Sequence, residues 1–148
     1  MYNNVQTLWI GDSLSPIERM CLSSFVKING GITLYTYSDV KGIPDGVEVK
    51  DGNTILDESE IFTYSVGEGK GSVSAFSNIF RYKLLYELGG WWVDTDVLCL
   101  NPLPKDDKFI FSTEYQMDMT PHTATGIIKC EPNSRIMKEC FDFSMKQD

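Results

Sequence analysis

The sequence predicts a single α/β domain with a mixed, mostly parallel β-sheet. Two observations support this fold class. Near the N-terminus, an apolar segment, a helical segment with capping residues and a second apolar segment follow one another, as in a β-α-β unit with parallel strands. Further along, another helical segment leads through a Gly-Gly pair into a third apolar run. The length of 148 residues suits one domain that can bury a core, and we expect residues 1–148 to form that domain.

The first β-α-β unit begins with the β-favouring run VQTLWI at residues 5–10. A helix is predicted to follow, with Ser15 as its N-cap and Glu18 completing a capping box. The NGG sequence at 29–31 ends that helix, and ITLYTY at 32–37 is the second strand. These short connections make the two strands parallel neighbours.

This unit also predicts where a ligand binds. In parallel sheets, ligands bind in the crevice beyond the carboxyl ends of the strands. Trp9 and Ile10 end the first predicted strand, and Tyr37 ends the second. We therefore expect these residues to border one crevice, although Trp9 taken alone is more typical of a core aromatic residue.

A second helix is predicted over residues 72–90, where the Gly89-Gly90 pair ends it. Its core stripe recurs every four residues and consists of Phe76, Phe80, Leu84 and Leu88. Helical spacing places a polar patch beside that stripe, made of Ser74, Ser77, Asn78 and Arg81.

The remaining segments continue the α/β pattern. Strands are predicted at 47–50, 91–100, 108–113 and 124–130. A last helix is predicted at 133–145, with an inward face of Ile136, Met137, Cys140 and Phe141.

Charge and composition exclude several classes of protein. The net charge is −8 and no run of Lys or Arg occurs, so nucleic acid is not an expected partner. No apolar stretch has the roughly 18 residues of a membrane-spanning helix, and the N-terminus lacks a signal-peptide pattern. The four cysteines are scattered among apolar neighbours, which favours buried thiols in a reducing compartment and therefore a cytoplasmic protein. The single histidine, His122, excludes a His-rich zinc site.

Asp94 and Asp96 stand inside the apolar run WWVDTDVLCL and are the main candidates for chemistry. In a strand, side chains alternate between faces, so both carboxylates would point to the same side and repel each other unless a cation lies close to them. Carboxylate oxygens suit Mg²⁺ or Mn²⁺, and Mg²⁺ commonly takes one or two carboxylates together with water and phosphate oxygens. The alternative is a solvated turn in which the aspartates cap backbone groups.

The sequence around this pair resembles a known family. The stretch SNIFRYKLLYELGGWWVDTDV resembles the signature of glycosyltransferases whose sugar-binding region contains a DXD motif, such as the Och1-like and capsular-polysaccharide transferases and, more distantly, the clostridial glucosylating toxins. LWIGDSLSP and LYTYSD resemble other parts of the family, so the similarity extends over about two-thirds of the chain. The signature positions that match are Ser77, Arg81, Gly89, Gly90, Trp92, Asp94 and Asp96.

The resemblance implies a GT-A fold, which is a Rossmann-like nucleotide-binding sheet, and a UDP- or GDP-linked sugar donor. It implies that Asp96 and Asp94 are the metal-binding residues for Mn²⁺ or Mg²⁺. Asp96 would ligate the ion on the diphosphate, and Asp94 would also contact the ribose or sugar. Arg81 would face the donor, and Arg81, Asp94 and Asp96 would be the catalytic residues of a retaining transferase. The implied donor-binding residues are Leu8, Trp9, Ile10, Tyr37, Ser77, Asn78, Arg81, Trp92 and Asp94.

Two departures keep a second function open. Asn78 stands where the family usually has Asp, so a contact to donor-sugar hydroxyls is altered. The chain also ends soon after the motif, where relatives commonly continue into an acceptor region. The expected function is a metal-dependent glycosyltransferase of the kind found in polysaccharide biosynthesis. The alternatives are a non-catalytic nucleotide-sugar-binding or assembly module and a purely structural α/β domain. A glycan, a lipid-linked sugar and a protein all remain open as acceptors.

Overall fold

In the computed structural model of the chain, the described residues, 4–63 and 70–146, form a six-stranded sheet and three α-helices. The strands are β1 (Val5–Leu8), β2 (Ile32–Thr36), β3 (Val47–Asp51), β4 (Gly90–Val93), β5 (Ile110–Tyr115) and β6 (Pro121–Cys130). The helices are α1 (Pro16–Asn29), α2 (Ser74–Leu88) and α3 (Arg135–Ser144). Two short 3₁₀ turns, Gly52–Thr54 and Glu58–Glu60, follow β3.

The strand order is β3-β2-β1-β4-β6-β5. The first four of these strands are mutually parallel, and β6 and β5 complete the sheet in antiparallel pairing. The predicted mixed, mostly parallel sheet is therefore confirmed. The chain leaves β1 in one direction through β2 and β3 and then returns to place β4 on the other side of β1. The gap between the carboxyl ends of β1 and β4 is a topological switch point, where open α/β sheets bind ligands.

The first helix begins as its capping box predicts. The Ser15 hydroxyl accepts a hydrogen bond from the Ile17 amide at 3.2 Å, and the Glu18 carboxylate accepts one from the Ser15 amide at 2.7 Å. These bonds satisfy backbone donors that have no partner within the helix. The helix ends at Gly30, whose φ of 86° lies in the left-handed region that glycine adopts without strain.

The sheet has one core on each face. One core contains Phe76, Phe80 and Leu84 of α2 together with Trp92, and the other contains Leu22 and Phe25 of α1 together with Trp91. Successive strand residues point to opposite faces, so the two adjacent tryptophans belong to different cores. Because of this alternation, Trp92 lies beneath α2 and Trp91 lies beneath α1.

Two residues predicted to lie inward are exposed. Leu88 is 44% exposed because residues four apart on an α-helix advance by about 40°, so the stripe that starts at Phe76 has turned well away from the core after three steps. Leu85 is fully buried at that end of the helix instead. On α3, Met137 is buried and Ile136 is 50% exposed, since one helical step separates them by about 100°.

The predicted strand 91–100 was too long. The strand ends at Val93, and the Val97 amide donates to the Asp94 carbonyl at 3.1 Å, which closes a turn. Leu98 and Leu100, which the apolar pattern placed in the strand, are 43% and 73% exposed. The two aspartates therefore lie in a turn rather than in a buried strand.

The structure adds two facts on membrane segments and thiols. Within the described part of the chain, no helix combines the length and apolar character needed to cross a membrane. All four cysteines are free thiols, and burial raises the pKa of the Cys130 thiol to about 12.

The Gly-Gly turn before β4 should be sensitive to substitution. A Cβ at Gly89 would lie 2.6 Å from Pro132, whereas a Cβ at Gly30 would meet no atom within 4 Å, and both glycines have positive φ. We expect Gly30→Ala to cost about 1 kcal/mol from its backbone conformation alone, and Gly89→Ala to cost at least about 2 kcal/mol more. Urea denaturation of the two variants measures the difference, and equal losses would show that the turn does not pack tightly against Pro132.

Candidate functional site

A cavity of about 470 Å³ opens at the carboxyl ends of β1 and β4, at the topological switch point of the sheet. It is surrounded mainly by the end of β1, the first half of α2, and β4 with the turn that follows it. The helix α1 and the strand β6 contribute one residue each. Its walls consist of Thr7, Leu8, Trp9, Ile10, Glu18, Ser72, Val73, Ser74, Ser77, Asn78, Arg81, Trp92, Asp94, Thr95, Asp96 and Thr125.

Arg81 is the central side chain of this cavity and is only 4% exposed. Its Nη2 donates to Asp94 Oδ1 at 2.8 Å, and its Nη1 donates to the Thr125 carbonyl at 2.7 Å. The guanidinium carbon lies 4.9 Å from the centroid of the Trp92 ring, in a cation–π arrangement. Arg81 thus joins α2 to β6 and to the turn that follows β4.

The charge state of Arg81 reflects two opposing effects. Burial lowers the pKa of the guanidinium, and the neighbouring Asp94 carboxylate raises it. An arginine remains protonated in a protein, so the buried positive charge needs its counter-charge. Asp94, whose side chain is 37% exposed, supplies that counter-charge at the cavity wall.

The two aspartates differ in their surroundings. The Asp94 amide donates to the Gly126 carbonyl at 2.8 Å, so β6 holds the first residue of the turn. Asp96 is exposed, and no described residue forms a hydrogen bond or ion pair with its carboxylate. Both carboxylates face the same cavity, as predicted, although the turn rather than strand alternation places them there.

Unpartnered polar atoms are concentrated at this cavity. Among the described residues, four buried side-chain polar atoms lack a hydrogen-bond partner, and three of these belong to the cavity residues Thr7, Trp9 and Arg81. An unsatisfied buried donor costs about 1–3 kcal/mol, so such atoms call for an explanation. The presence of three such atoms in residues of one cavity is typical of a ligand site.

Most residues predicted for the site lie together. Those that line the cavity are Leu8, Trp9, Ile10, Ser77, Asn78, Arg81, Trp92, Asp94 and Asp96. Trp9 is half-buried and packs against the core on the α1 side of the sheet, so it is both a core residue and a wall of the cavity.

Tyr37 is the exception, because it does not line the cavity. Its hydroxyl donates to the Leu56 carbonyl at 2.9 Å, and its ring makes edge contacts with Phe76 and Phe80. Burial raises the pKa of the Tyr37 phenol. The prediction placed Tyr37 at the crevice because it follows β2, but β2 lies one strand away from the switch point between β1 and β4.

Sequence reasoning missed several residues of the cavity wall. Thr125 lies there because β6 pairs with β4 in antiparallel fashion, and no local pattern indicated that pairing. Glu18 was identified only as a capping residue, although its position on the first turn of α1 also brings it to the cavity. Ser72, which precedes α2, was also missed, whereas Ser74 belongs to the predicted polar patch and lines the cavity with it.

The carboxylates fit a hard divalent cation only in part. Among the described residues, no group of three or more His, Cys, Asp or Glu side chains is arranged to hold a metal ion. A cation held by one or two carboxylates with phosphate oxygens and water is the usual arrangement for Mg²⁺, and the exposed Asp96 carboxylate suits it. The donor set therefore fits a cation that arrives together with a phosphorylated ligand.

Comparison with known proteins identifies the family. Residues 18–119 match the model of the glycosyltransferase sugar-binding region containing DXD motif, which is more than half of the chain. The chain belongs to this family.

Comparison with solved structures supports the fold. Seven chains match, one of which is the PaToxG glycosyltransferase, with a TM-score of 0.65 and 15% sequence identity. That match covers 95% of this chain and 58% of PaToxG, so the chain spans little more than half of that relative. The fold is GT-A-like. A search of curated proteins found no match.

The different surroundings of the two aspartates predict different effects on stability. Asp94→Asn removes the counter-charge of a buried guanidinium, so we expect the free energy of unfolding to fall by about 1–2 kcal/mol, less than for a fully buried pair because Asp94 is partly exposed. Asp96→Asn should change it by less than about 0.5 kcal/mol. Urea denaturation without ligand or metal measures both, and equal effects would contradict the assigned roles.

Proposed function

We propose that the chain binds a nucleotide-sugar donor in the cavity between β1 and β4 and transfers the sugar to an acceptor. The observation that carries this proposal is the cavity itself, which brings both aspartates of the DXD motif together with Arg81 and Trp9 at the switch point of the sheet. Family membership supports sugar transfer as the type of chemistry.

The donor is proposed to be a UDP- or GDP-sugar that extends from Trp9 towards the DXD turn. The Trp9 ring offers an aromatic surface for a nucleobase, and Leu8 and Ile10 provide backbone and apolar contacts at the same end. Ser77 and Asn78 offer hydroxyl and amide groups to sugar hydroxyls from the first half of α2. The cavity thus contains an apolar wall for the base and a polar wall for the sugar.

Asp96 is proposed to hold Mn²⁺ or Mg²⁺ with the diphosphate, and Asp94 to contact the ribose or sugar beside it. When bound, the cation would neutralise charge that develops on the diphosphate leaving group. Arg81 provides a fixed positive charge in the same wall, held in place by Asp94 and Thr125. This charge is preorganised, since its orientation does not depend on the ligand.

We propose that transfer retains the anomeric configuration, as the resemblance to the family implies, and that it does so through a front-face displacement. A double displacement requires a free carboxylate as nucleophile. Among the carboxylates of the cavity, Asp94 is paired with Arg81 and assigned to a ribose or sugar hydroxyl, Glu18 accepts the Ser15 amide, and Asp96 is assigned to the cation. The arrangement therefore favours departure of the diphosphate assisted by positive charge, with the acceptor attacking from the same face.

Binding of a nucleoside diphosphate tests the donor site. With Mn²⁺ and UDP or GDP at about 100-fold above the Kd, the melting temperature should rise by roughly 5–10 °C, because a ligand that binds only the native state stabilises it. Asp96→Ala should remove the metal-dependent part of this rise, and the exposed Asp106→Ala should not. If neither nucleotide raises the melting temperature with metal present, the donor site is wrong.

A hydrolysis assay separates an enzyme from a binding module. Asn78 in place of the family's usual aspartate is the observation that favours a module without turnover. Release of free sugar from the bound nucleotide sugar indicates a transferase, and binding without release indicates the module. Asn78→Asp should raise hydrolysis if the missing carboxylate limits the reaction.

A further inference from the structure

The two oxygens of the Asp94 carboxylate have different roles. Oδ1 accepts two hydrogen bonds, from Arg81 Nη2 and from Trp92 Nε1, each at 2.8 Å. No described residue donates a hydrogen bond to Oδ2. Since the side chain is 37% exposed and lines the cavity, the protein occupies one oxygen and leaves the other for a ligand.

Trp92 is a fixed donor to that carboxylate. Its ring is 1% exposed and packs against Phe80 in the core beneath α2, with a centroid distance of 6.4 Å. The same ring lies next to the Arg81 guanidinium. Because the core immobilises the ring, the indole N–H and the guanidinium together restrict rotation of the Asp94 side chain.

Gly126 leaves room beside the second oxygen. A Cβ at this position would lie 3.2 Å from Asp94 Oδ2, which is closer than most contacts of a Cβ atom. The backbone of Gly126 has no positive φ that would require glycine, and its carbonyl accepts the Asp94 amide. Gly126 also lies where the pairing of β5 with β6 is irregular. Space beside Oδ2 is a further physical reason for a residue without a side chain here.

We propose that Trp92 and Gly126 are positioning residues for Asp94: Trp92 fixes the carboxylate, and Gly126 keeps Oδ2 open to accept a hydrogen bond from a hydroxyl of the donor. The ligand part of this inference rests on the proposed function. Arg81 already balances the charge of Asp94, so the free oxygen suits a neutral hydroxyl donor.

A stability cycle tests Trp92 without any ligand. Trp92→Phe and Trp91→Phe remove the same atoms from two buried rings on opposite faces of the sheet, but only Trp92 donates to Asp94. Trp92→Phe should raise the unfolding equilibrium constant by a factor that is about 10-fold smaller in an Asp94→Ala background than in the wild-type chain. The factor for Trp91→Phe should be the same in both backgrounds. Additive effects of Trp92→Phe and Asp94→Ala would overturn the positioning role.

A binding cycle tests Gly126. The probes are UDP-glucose and GDP-mannose with Mn²⁺, measured by isothermal titration calorimetry. Gly126→Ala should weaken binding of the nucleotide sugar by about 10-fold, and the same change in an Asp94→Ala background should weaken it by less than about 2-fold. An equal loss in both backgrounds, or no loss, would overturn the role of Gly126.

The two cycles also separate the inference from the proposed function. If the wild-type chain binds neither probe, the proposed function fails, and with it the role of Gly126 towards the donor. The stability cycle still decides whether Trp92 positions Asp94. If the wild-type chain binds a probe and the stability cycle is additive, the donor site stands and the Trp92 inference fails.

Discussion

The ion pair between the buried Arg81 and the partly exposed Asp94 is the interaction on which the rest of the site depends. A guanidinium that is 4% exposed requires a counter-charge, and the carboxylate that supplies it lies in the turn directly after β4. Since Arg81 also donates to the Thr125 carbonyl, a single side chain joins the first half of α2 to β6 and to the DXD turn. The same contacts that stabilise the fold therefore fix the geometry of the cavity wall.

The strand topology explains why this pair forms where a ligand can bind. The carboxyl ends of β1 and β4 diverge at the switch point, which leaves a cavity between Trp9 and the DXD turn. The antiparallel strand β6 closes one side and contributes Gly126, whose carbonyl holds the Asp94 amide. Asp94 thus forms hydrogen bonds with Arg81, Trp92 and Gly126. Asp96, in the same turn, lines the cavity with an exposed side chain.

Local patterns in the sequence predicted much of the fold because they depend on neighbouring residues. The capping box at Ser15 and the Gly-Gly turn after α2 are signals of this kind, and both are present. The resemblance around the DXD motif indicated the central cavity residues of α2, β4 and the DXD turn. The prediction failed where pairing between distant segments decides the outcome. Tyr37 packs into the core because β2 is not at the switch point, and Thr125 reaches the cavity through a strand pairing that periodicity does not encode.

The two aspartates have different proposed roles: Arg81 and Trp92 hold Asp94, and Asp96 is proposed to bind a cation. A crystal structure of the chain with a nucleoside diphosphate and Mn²⁺ tests this claim most directly. We expect the nucleotide between Trp9 and the DXD turn, the cation on the Asp96 carboxylate, and Asp94 Oδ1 still bound to Arg81 and Trp92. A cation bound by Asp94 through Oδ1, with the Arg81 contact broken, would contradict the account.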